Sequence, residues 1–388
     1  WAAGRPVKRY QHSQKTDMTL LPCPRYDLVE FDRYMFASLQ ISRGCPFECE
    51  FCDIIVTFGR RPRLKTGAQV IAELEALRAQ KMQIAFIVDD NLIANRRAIG
   101  GVLRDIARWQ KQNGYPFIFF TEASLDLADD AALLRLMVEA NIQCVFIGVE
   151  TVNEDSLREA KKPQNLRSSG SLAEKVRRIQ QAGLEVWTGM IVGFDHDDES
   201  IFDAQVRFLE EARVAHAMFG MLTAIPKTPL YDRLRDDHRL DFEEPPAWGT
   251  NVVPLKMTRE ALRDGYVSTM QRLSDADAYF DRIDSLYHDL SFQFNRAQRA
   301  AWRRHPLRWL RDQCRSLIHS AVLFCRLMKE VQDRDLREIY RSRLVAVWRR
   351  RHEPAALFNY LIKCAMHYHY HRMVQYMTNP SKPLVNTF

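Results

Sequence analysis

The chain has 388 residues, 46% of them hydrophobic, so it is long enough to bury a large core and to carry more than one domain. Most of its eight cysteines are scattered through apolar runs, which excludes a small secreted domain held together by disulfides. The formal charge of +7 is uneven, because residues 296–388 contain 19 Lys and Arg against 6 Asp and Glu. This break in composition predicts a separate basic unit at the C-terminal end.

Residues 1–36 are predicted to form an extended, proline-marked lead-in rather than a folded unit. The first residues are polar and contain no apolar run of the kind that a secretory signal needs, so we expect a reducing, cytoplasmic setting. The chain starts at Trp1 instead of Met, from which we expect it to be a segment of a longer protein.

From residue 36 onward, a short apolar run, a polar turn and an amphipathic helical segment follow one another repeatedly. The apolar runs, which we interpret as strands, are 36–42, 83–90, 116–124, 144–151, 184–194 and 218–226. The clearest helical periods between them are 68–80, 95–112 and 129–140. Strands that are apolar on both faces and alternate with helices predict a parallel sheet, arranged either as a doubly wound sheet or as a complete or partial barrel.

Polar residues follow closely on nearly every predicted strand. They are Cys45, Asp89, Asp90, Asn91, Glu122, Ser124, Glu150 and Asp195. In a parallel α/β fold these positions are the C-terminal ends of strands, where such enzymes place their chemistry. Single cases are explained as turn residues, whereas recurrence after nearly every strand favours an active-site face.

Beyond residue 235 the strand pattern stops, and the chain is predicted to be helical and rich in Arg and aromatic residues. The arginines alternate with Trp and Leu at helical spacing, which favours amphipathic helices over a nucleic-acid-binding tail, so no nucleic acid is expected as a partner. In the apolar C-terminal helices the longest uncharged stretch, 316–325, is too short to span a bilayer. The pattern is also typical of peripheral docking on an anionic membrane surface, here the inner membrane, although an ordinary packed helical domain explains it more simply.

Three of the cysteines lie within eight positions, in the segment ISRGCPFECEFCDI at residues 41–54. Cys45, Cys49 and Cys52 do not complete a structural zinc site, which needs four ligands. They suit a cubane iron–sulfur cluster in which one iron has no protein ligand and is free to bind a small molecule. The acidic neighbours of the three thiols argue against a purely structural role as small buried residues.

The Cys45-x3-Cys49-x2-Cys52 spacing, with Phe51 before the last cysteine, resembles the signature of the radical S-adenosylmethionine (radical SAM) superfamily. The segments GRRPRLKT, VDDNLIAN, FIGVET, IVGFDHDD and TAIPKTPLYDRL resemble its cobalamin-type, class B methylase-like subgroup, in which the barrel precedes a helical domain of unassigned function. The resemblance implies an α/β fold built on a partial (β/α)6 TIM-like barrel. We therefore expect a lead-in at 1–36, the barrel at 37–235 and an all-α C-terminal domain at 236–388.

The resemblance also implies the cofactors and the residues that hold them. Cys45, Cys49 and Cys52 would ligate a [4Fe–4S] cluster, whose unique iron would bind the amino and carboxylate groups of S-adenosylmethionine (SAM). The residues expected to contact SAM are Phe51, Asp89, Asp90, Asn91, Glu122, Ser124 and Glu150. The Asp-Asp-Asn stretch replaces the Gly-Gly-Glu of many family members, and an ionised carboxylate there can accept hydrogen bonds from the SAM ammonium group. Asp195 is explained equally well as a turn cap.

The reaction implied by the resemblance is reductive cleavage of SAM to methionine and a 5′-deoxyadenosyl radical, followed by methylation of an unactivated carbon with cobalamin as methyl carrier. Cobalamin would bind a domain upstream of this chain. The expected partners are a small-molecule or lipid substrate and an electron donor of the flavodoxin or ferredoxin type. The alternatives are a cobalamin-independent radical oxidation or rearrangement, and a non-catalytic iron–sulfur module that binds a partner.

Overall fold

The structure is a computed structural model that describes residues 14–166, 170–243, 248–289 and 295–379. It also describes six single residues outside these ranges, namely Gly4, Lys8, Pro246, Phe292, Leu384 and Asn386. Most of residues 1–13 of the predicted lead-in therefore lie outside the described residues. The described part of the lead-in contains three short 3₁₀ turns, Met18–Leu20, Tyr26–Leu28 and Phe31–Arg33, joined by extended segments.

Six strands form one parallel sheet in the order in which they occur along the chain, and two short strands form a separate antiparallel pair. The strands are β1 (Ala37–Leu39), β2 (Ser42–Arg43), β3 (Arg63–Leu64), β4 (Ile84–Ile87), β5 (Ile118–Ala123), β6 (Ile142–Glu150), β7 (Glu185–Val192) and β8 (His216–Met221). The order β1-β4-β5-β6-β7-β8 never reverses, which excludes a doubly wound sheet. Its sequential parallel order confirms the α/β fold with a six-stranded sheet that the sequence predicted.

Helices connect the strands and then make up the C-terminal part of the described residues. They are α1 (Ile54–Thr57), α2 (Gly67–Ala79), α3 (Arg96–Gln112), α4 (Ala131–Glu139), α5 (Glu154–Glu159), α6 (Pro163–Leu166), α7 (Leu172–Ala182), α8 (Ser200–Glu211), α9 (Pro229–Asp236), α10 (Arg259–Leu273), α11 (Ala276–Tyr287), α12 (Arg296–Trp302), α13 (Pro306–Glu330), α14 (Arg334–Arg351) and α15 (Pro354–Met377). The three helical periods predicted from the sequence correspond to α2, α3 and α4. Polar caps fix where these helices begin: Thr66 bonds the Gln69 amide and Asn95 bonds the Ala98 amide.

The two faces of the sheet differ in how they are covered. On one face, alternating strand residues such as Ile87, Phe119 and Val145 are fully buried beneath the helices that connect the strands. On the other face, which we call the inner face, the corresponding residues Phe86 and Phe120 are only half-buried. The C-terminal edge of this inner face carries the polar residues that the sequence singled out.

The C-terminal helices build a second core from α11, α13, α14 and α15. Helix α10 packs instead into the core of the sheet through Leu262, Tyr266 and Met270, so packing continues across the predicted boundary at residue 235, which itself stays a prediction. After Met221 the described residues contain a single isolated strand pair, Leu240 with Val252. None of the described helices combines the length and the apolar composition that crossing a membrane requires.

Candidate active site

The three clustered cysteines lie in the segment between β2 and α1, at the C-terminal edge of the sheet. Gly44 allows the chain to turn into this loop, because its φ is +96° and a Cβ atom there would lie 2.8 Å from the Gly59 carbonyl oxygen. The Cys45 amide donates to the same Gly59 oxygen at 3.3 Å, and the Cys52 amide donates to the Cys49 carbonyl at 3.1 Å. These bonds hold the segment, which we call the cluster loop (residues 44–53), in a compact turn.

All three thiols are free and partly exposed. Two side-chain amides point at them: Asn91 Nδ2 lies 3.9 Å from Cys45 Sγ, and Gln164 Nε2 lies 3.7 Å from Cys49 Sγ. Burial raises the pKa of Cys52 to about 12 and also raises that of Cys45, so iron would have to displace the protons of both thiols. Amide donors beside sulfur atoms stabilise thiolate ligands, and the donor set therefore fits an iron–sulfur cluster.

Within the described residues, no three His, Cys, Asp or Glu side chains converge closely enough to hold one metal ion. A cubane cluster binds each thiolate at a different iron atom, so its ligands need not converge on one point. The arrangement at the cluster loop is therefore consistent with a multi-iron cluster and not with a single bound ion.

Asp89, Asp90 and Asn91 follow β4 and lie against the cluster loop, but they differ in what they contact. Asp89 is fully buried and accepts hydrogen bonds from the Ile41 amide at 2.7 Å and the Ser42 hydroxyl at 2.6 Å. Burial raises its pKa to about 6. Asp89 thus holds the strand that leads into the cluster loop rather than facing open space.

Asp90 is half-buried and accepts one bond, from the Gly44 amide at 3.2 Å. Asn91 is buried and links the cluster loop to the next strand, since its Nδ2 donates to the Ser124 hydroxyl at 3.1 Å while also facing Cys45. Of these three neighbours, Asp90 has the carboxylate that is most available to a ligand.

Glu122 and Ser124 lie one strand further along the sheet. Burial raises the pKa of Glu122 to about 7, with Asp90 and Asp89 adding repulsion, and no described residue donates a hydrogen bond to its carboxylate. Ser124 is buried and bonded to Asn91 and to Asp126, at 2.5 Å from the latter. A cavity of about 390 Å³ opens beside Ser124 and the cluster loop, with Phe47 and Ile93 among its walls.

Glu150 and Phe51 lie on the other side of the cluster loop. Glu150 adopts a positive φ of 67° at a bulge of β6 and forms a buried ion pair with Lys162. Lys162 also lies 5.9 Å from the centre of the Phe51 ring, which packs edge-on against Phe194. The carboxylate of Glu150 is therefore already paired within the chain.

Asp195 belongs to a charged network that the sequence did not predict. Arg233, on α9, contacts Glu50 of the cluster loop at 2.6 Å, Glu159 at 2.9 Å and Asp195 at 2.5 Å. Arg239 contacts Asp195 as well, at 2.6 Å. Burial would raise the pKa of Asp195, but the two arginines hold it below its usual range.

The network therefore connects the cluster loop to three later segments of the chain, and Asp195 serves as an ion-pair partner rather than a turn cap. Local sequence carries no signal for these partners or for Gln164, because the paired residues lie more than 100 positions from the cluster loop.

Comparison with known families assigns the two halves of the chain. Residues 39–209 match the family described as the radical SAM superfamily, and residues 228–382 match a domain of unknown function, DUF4070. The chain thus carries a radical SAM domain. Its C-terminal helical region carries the DUF4070 domain, and several curated relatives of the chain are named methyltransferases or methylases.

Two curated relatives illustrate this. An uncharacterized methyltransferase of Synechocystis is 44% identical over 69% of this chain and 51% of its own length. The hopanoid C-2 methylase of Rhodopseudomonas palustris is 39% identical over 62% of this chain and 46% of its own length. The chain therefore spans about half the length of the curated relatives that it matches.

A solved structure extends the likeness of the fold over nearly the whole chain. The cobalamin-dependent SAM radical enzyme OxsB, solved with aqua-cobalamin and SAM bound, covers 96% of this chain and 59% of its own, with 15% identity and a TM-score of 0.54. At this identity the likeness concerns the fold alone. The radical SAM domain implies a [4Fe–4S] cluster and SAM as cofactors, whereas the residues that bind them stay predictions.

Proposed function

We propose that this protein is a radical SAM enzyme whose cluster is held by Cys45, Cys49 and Cys52. The observation that carries the proposal is the loop with three free thiols, two of them faced by amide donors, beside a carboxylate at the C-terminal edge of a parallel sheet to which no described residue donates a hydrogen bond. When bound, the reduced cluster and SAM supply a 5′-deoxyadenosyl radical. The chain's own residues bind these groups, orient them and exclude water.

The role proposed for each side chain follows from the hydrogen bonds that it already makes within the chain. Asp90 and Glu122 would accept hydrogen bonds from the ammonium group of SAM, since both carboxylates are partly buried and lightly bonded. Asn91 would donate to the thiolate of Cys45 and keep Ser124 in place. Asp89 would act by holding the loop, and Phe51 would pack beside the adenine.

We further propose that the reaction is methylation of an unactivated carbon, with cobalamin as methyl carrier. The support is the pair of methyltransferase-named relatives, which match this chain over about half of their length. An electron donor of the flavodoxin or ferredoxin type would approach the exposed part of the cluster loop, where Glu48 and Arg60 form a surface ion pair.

The test of methylation is transfer of an isotope-labelled methyl group from SAM. Cell extract, cobalamin and a reductant are supplied to the reconstituted full-length protein, and labelled products are sought in lipid and aqueous fractions. Cobalamin-dependent labelling that disappears when Cys49 is replaced by Ala supports the proposal. Release of 5′-deoxyadenosine without methyl transfer favours the radical oxidation or rearrangement instead, and absence of both favours the non-catalytic iron–sulfur module.

A separate feature supports peripheral membrane contact at the cytoplasmic side of the inner membrane. Helix α13, about 37 Å long, exposes an apolar stripe at helical spacing: Leu307, Leu310, Cys314, Leu317, Ile318, Ala321, Val322 and Cys325. Arg311, Arg326 and Lys329 flank the stripe and form no ion pair with any described residue. An apolar groove of about 400 Å³ between α13, α14 and α15 continues the stripe toward Trp348. Apolar residues flanked by cations fit an anionic lipid surface.

Flotation with vesicles of anionic and of neutral lipid tests this contact. We expect binding to anionic vesicles only, with loss of binding in the Ile318→Glu and Val322→Glu variants. Leu28→Glu, a change at an exposed leucine far from α13 in the sequence, should leave binding unchanged. Equal flotation of all four proteins, or no dependence on lipid charge, would remove membrane contact from the account.

A further inference from the structure

The inner face of the sheet is unusually apolar for a surface that helices leave uncovered. Phe86, Phe120, Phe146 and Trp187 are half-buried, and Ile84 and Met218 are more than a third exposed. The strand register places these residues side by side: Phe86 is opposite Phe120, and Phe146 is opposite Trp187. Because side chains alternate between the two faces of a strand, this surface is distinct from the core beneath the connecting helices.

Three rings on this face, those of Phe36, Phe86 and Phe120, are in contact with one another. The rings of Phe86 and Phe120 are stacked with their centres 4.8 Å apart, and Phe36 meets Phe120 edge-on at 5.0 Å. Glu122 lies on the same strand face as Phe120 and two residues nearer the cluster loop, which is about 7 Å along a strand. The contacting rings therefore lie next to the proposed cofactor site.

The C-terminal region helps to fix the far end of this surface. Lys363, on α15, forms a buried ion pair with Glu185 at the start of β7, and Glu185 also accepts a hydrogen bond from Trp187 Nε1 at 2.7 Å. The Lys363 ammonium group lies 5.5 Å from the centre of the Trp187 ring. Lys363 thus positions Trp187 through Glu185, and the DUF4070 domain helps to shape the inner face.

We propose that this aromatic inner face binds the hydrocarbon part of the substrate. The inference rests on the proposed function, because it places an apolar carbon skeleton beside the site where the radical would form. Ring faces left half-exposed to water raise the free energy of the protein, and contact with another apolar surface lowers it. A flat or polycyclic hydrocarbon matches stacked rings, whereas a charged substrate would lose its hydration without gaining a partner.

Pyrene, a flat hydrocarbon whose fluorescence reports an apolar environment, is the probe. The cluster-reconstituted protein is titrated with pyrene, and iron content and SAM binding are measured in the same samples. We expect one site on the inner face whose affinity falls about tenfold in Phe86→Ser and in Phe120→Ser, because each change removes most of one ring's contact. Trp348→Ser, which alters the exposed groove on the C-terminal helices, is the matched control and should leave this site unchanged.

The proposal is overturned if neither serine variant weakens pyrene binding while both retain iron. If these variants lose iron, the Trp187→Phe variant tests the proposal instead. Quenching of tryptophan emission by pyrene should decrease in this variant. Undiminished quenching would show that pyrene binds elsewhere and would overturn the proposal. Protein association that Phe120→Ser abolishes, without any pyrene site, would assign the face to a second copy of the chain. Failure of SAM cleavage with pyrene binding intact would count against the proposed reaction and leave the apolar site standing.

Discussion

At the level of single residues, the carboxylates near the cluster loop divide into those already bonded by the chain and those left open. Asp89 is buried and accepts hydrogen bonds from Ile41 and Ser42. Glu150 is buried and forms an ion pair with Lys162. Among the described residues Glu122 has no such partner, and its pKa, raised to about 7 by burial, places its ionisation near neutral pH. An ammonium ligand binds the ionised form of such a group and not the neutral one.

Glu122 therefore predicts the pH dependence of SAM binding. The burial that raises its pKa favours the neutral acid, so affinity for SAM should rise as pH increases from 6 to 8 and the carboxylate ionises. Replacing Glu122 by Gln should weaken binding about tenfold at pH 8, since a charged hydrogen bond contributes about 1.5–3 kcal/mol, and should flatten the profile. Equilibrium binding of SAM to reconstituted protein across this range measures both effects.

Asp90 faces the same space, so its replacement by Ala should also weaken SAM binding while iron content stays near normal. Asp89→Asn serves as the contrasting variant. It should lower iron content, because it weakens the hydrogen bonds that hold the strand leading into the cluster loop and does not remove a contact with SAM. A pH profile that is unchanged in Glu122→Gln, together with normal SAM affinity in Asp90→Ala, would show that neither carboxylate meets the cosubstrate.

At the level of elements, the positions of the strands and of three helices were predicted from the sequence, whereas the ion pairs between elements were not. The six apolar runs all correspond to strands, because apolar residues between polar turns specify a buried parallel strand locally. Position at a strand end likewise brought Asn91, Glu122 and Ser124 to the site. Local sequence does not encode which acidic residues at the strand ends are already neutralised. Glu150 and Asp195 form ion pairs with Lys162 and Arg233, which lie on other elements.

Arg233 illustrates such a long-range partner and gives a prediction for α9. It joins the cluster loop to α5 and to the turn after β7 through three partly buried carboxylates. Arg233→Met should destabilise the fold by roughly 3 kcal/mol, because the loss of one partner leaves buried charges uncompensated, and should speed iron loss to a chelator. Thermal unfolding and the rate of iron release are the measurements.

The matched control lies two residues further along the same helix. Arg235 pairs with Asp232 and Asp236 in an exposed position, so Arg235→Met should leave stability nearly unchanged. Equal behaviour of the two variants would mean that the Arg233 network does not brace the cluster loop.

At the level of the whole molecule, buried contacts join the C-terminal helices to the sheet in the described residues. The Lys363–Glu185 ion pair is buried at this junction, and α10 completes the core of the sheet. The uneven charge of the chain predicted a separate C-terminal unit. It did not predict that one lysine of this unit would neutralise an acid on β7, because a charge count does not distinguish a buried cation from a solvated one.

Lys363→Met should lower the free energy of unfolding by about 3–5 kcal/mol, since it leaves Glu185 buried and unpaired. The double variant Lys363→Met with Glu185→Gln should recover much of this loss, which urea unfolding followed by circular dichroism would measure. Lys329→Met, at an exposed lysine of α13, should change stability by less than about 0.5 kcal/mol. A double variant no more stable than the single one would argue against a paired charge at this junction.

Three particular cysteines are proposed to make this chain a radical SAM enzyme, and one assay tests this directly. The protein is reconstituted anaerobically with iron and sulfide, reduced, and given SAM, and 5′-deoxyadenosine is quantified by chromatography alongside the visible absorption of the cluster. We predict that the unaltered protein and the Cys144→Ala and Cys314→Ala variants release 5′-deoxyadenosine. We expect Cys45→Ala, Cys49→Ala and Cys52→Ala to lose both signals. Equal loss in Cys144→Ala or Cys314→Ala, or no 5′-deoxyadenosine from a protein that holds a full cluster, would contradict the account.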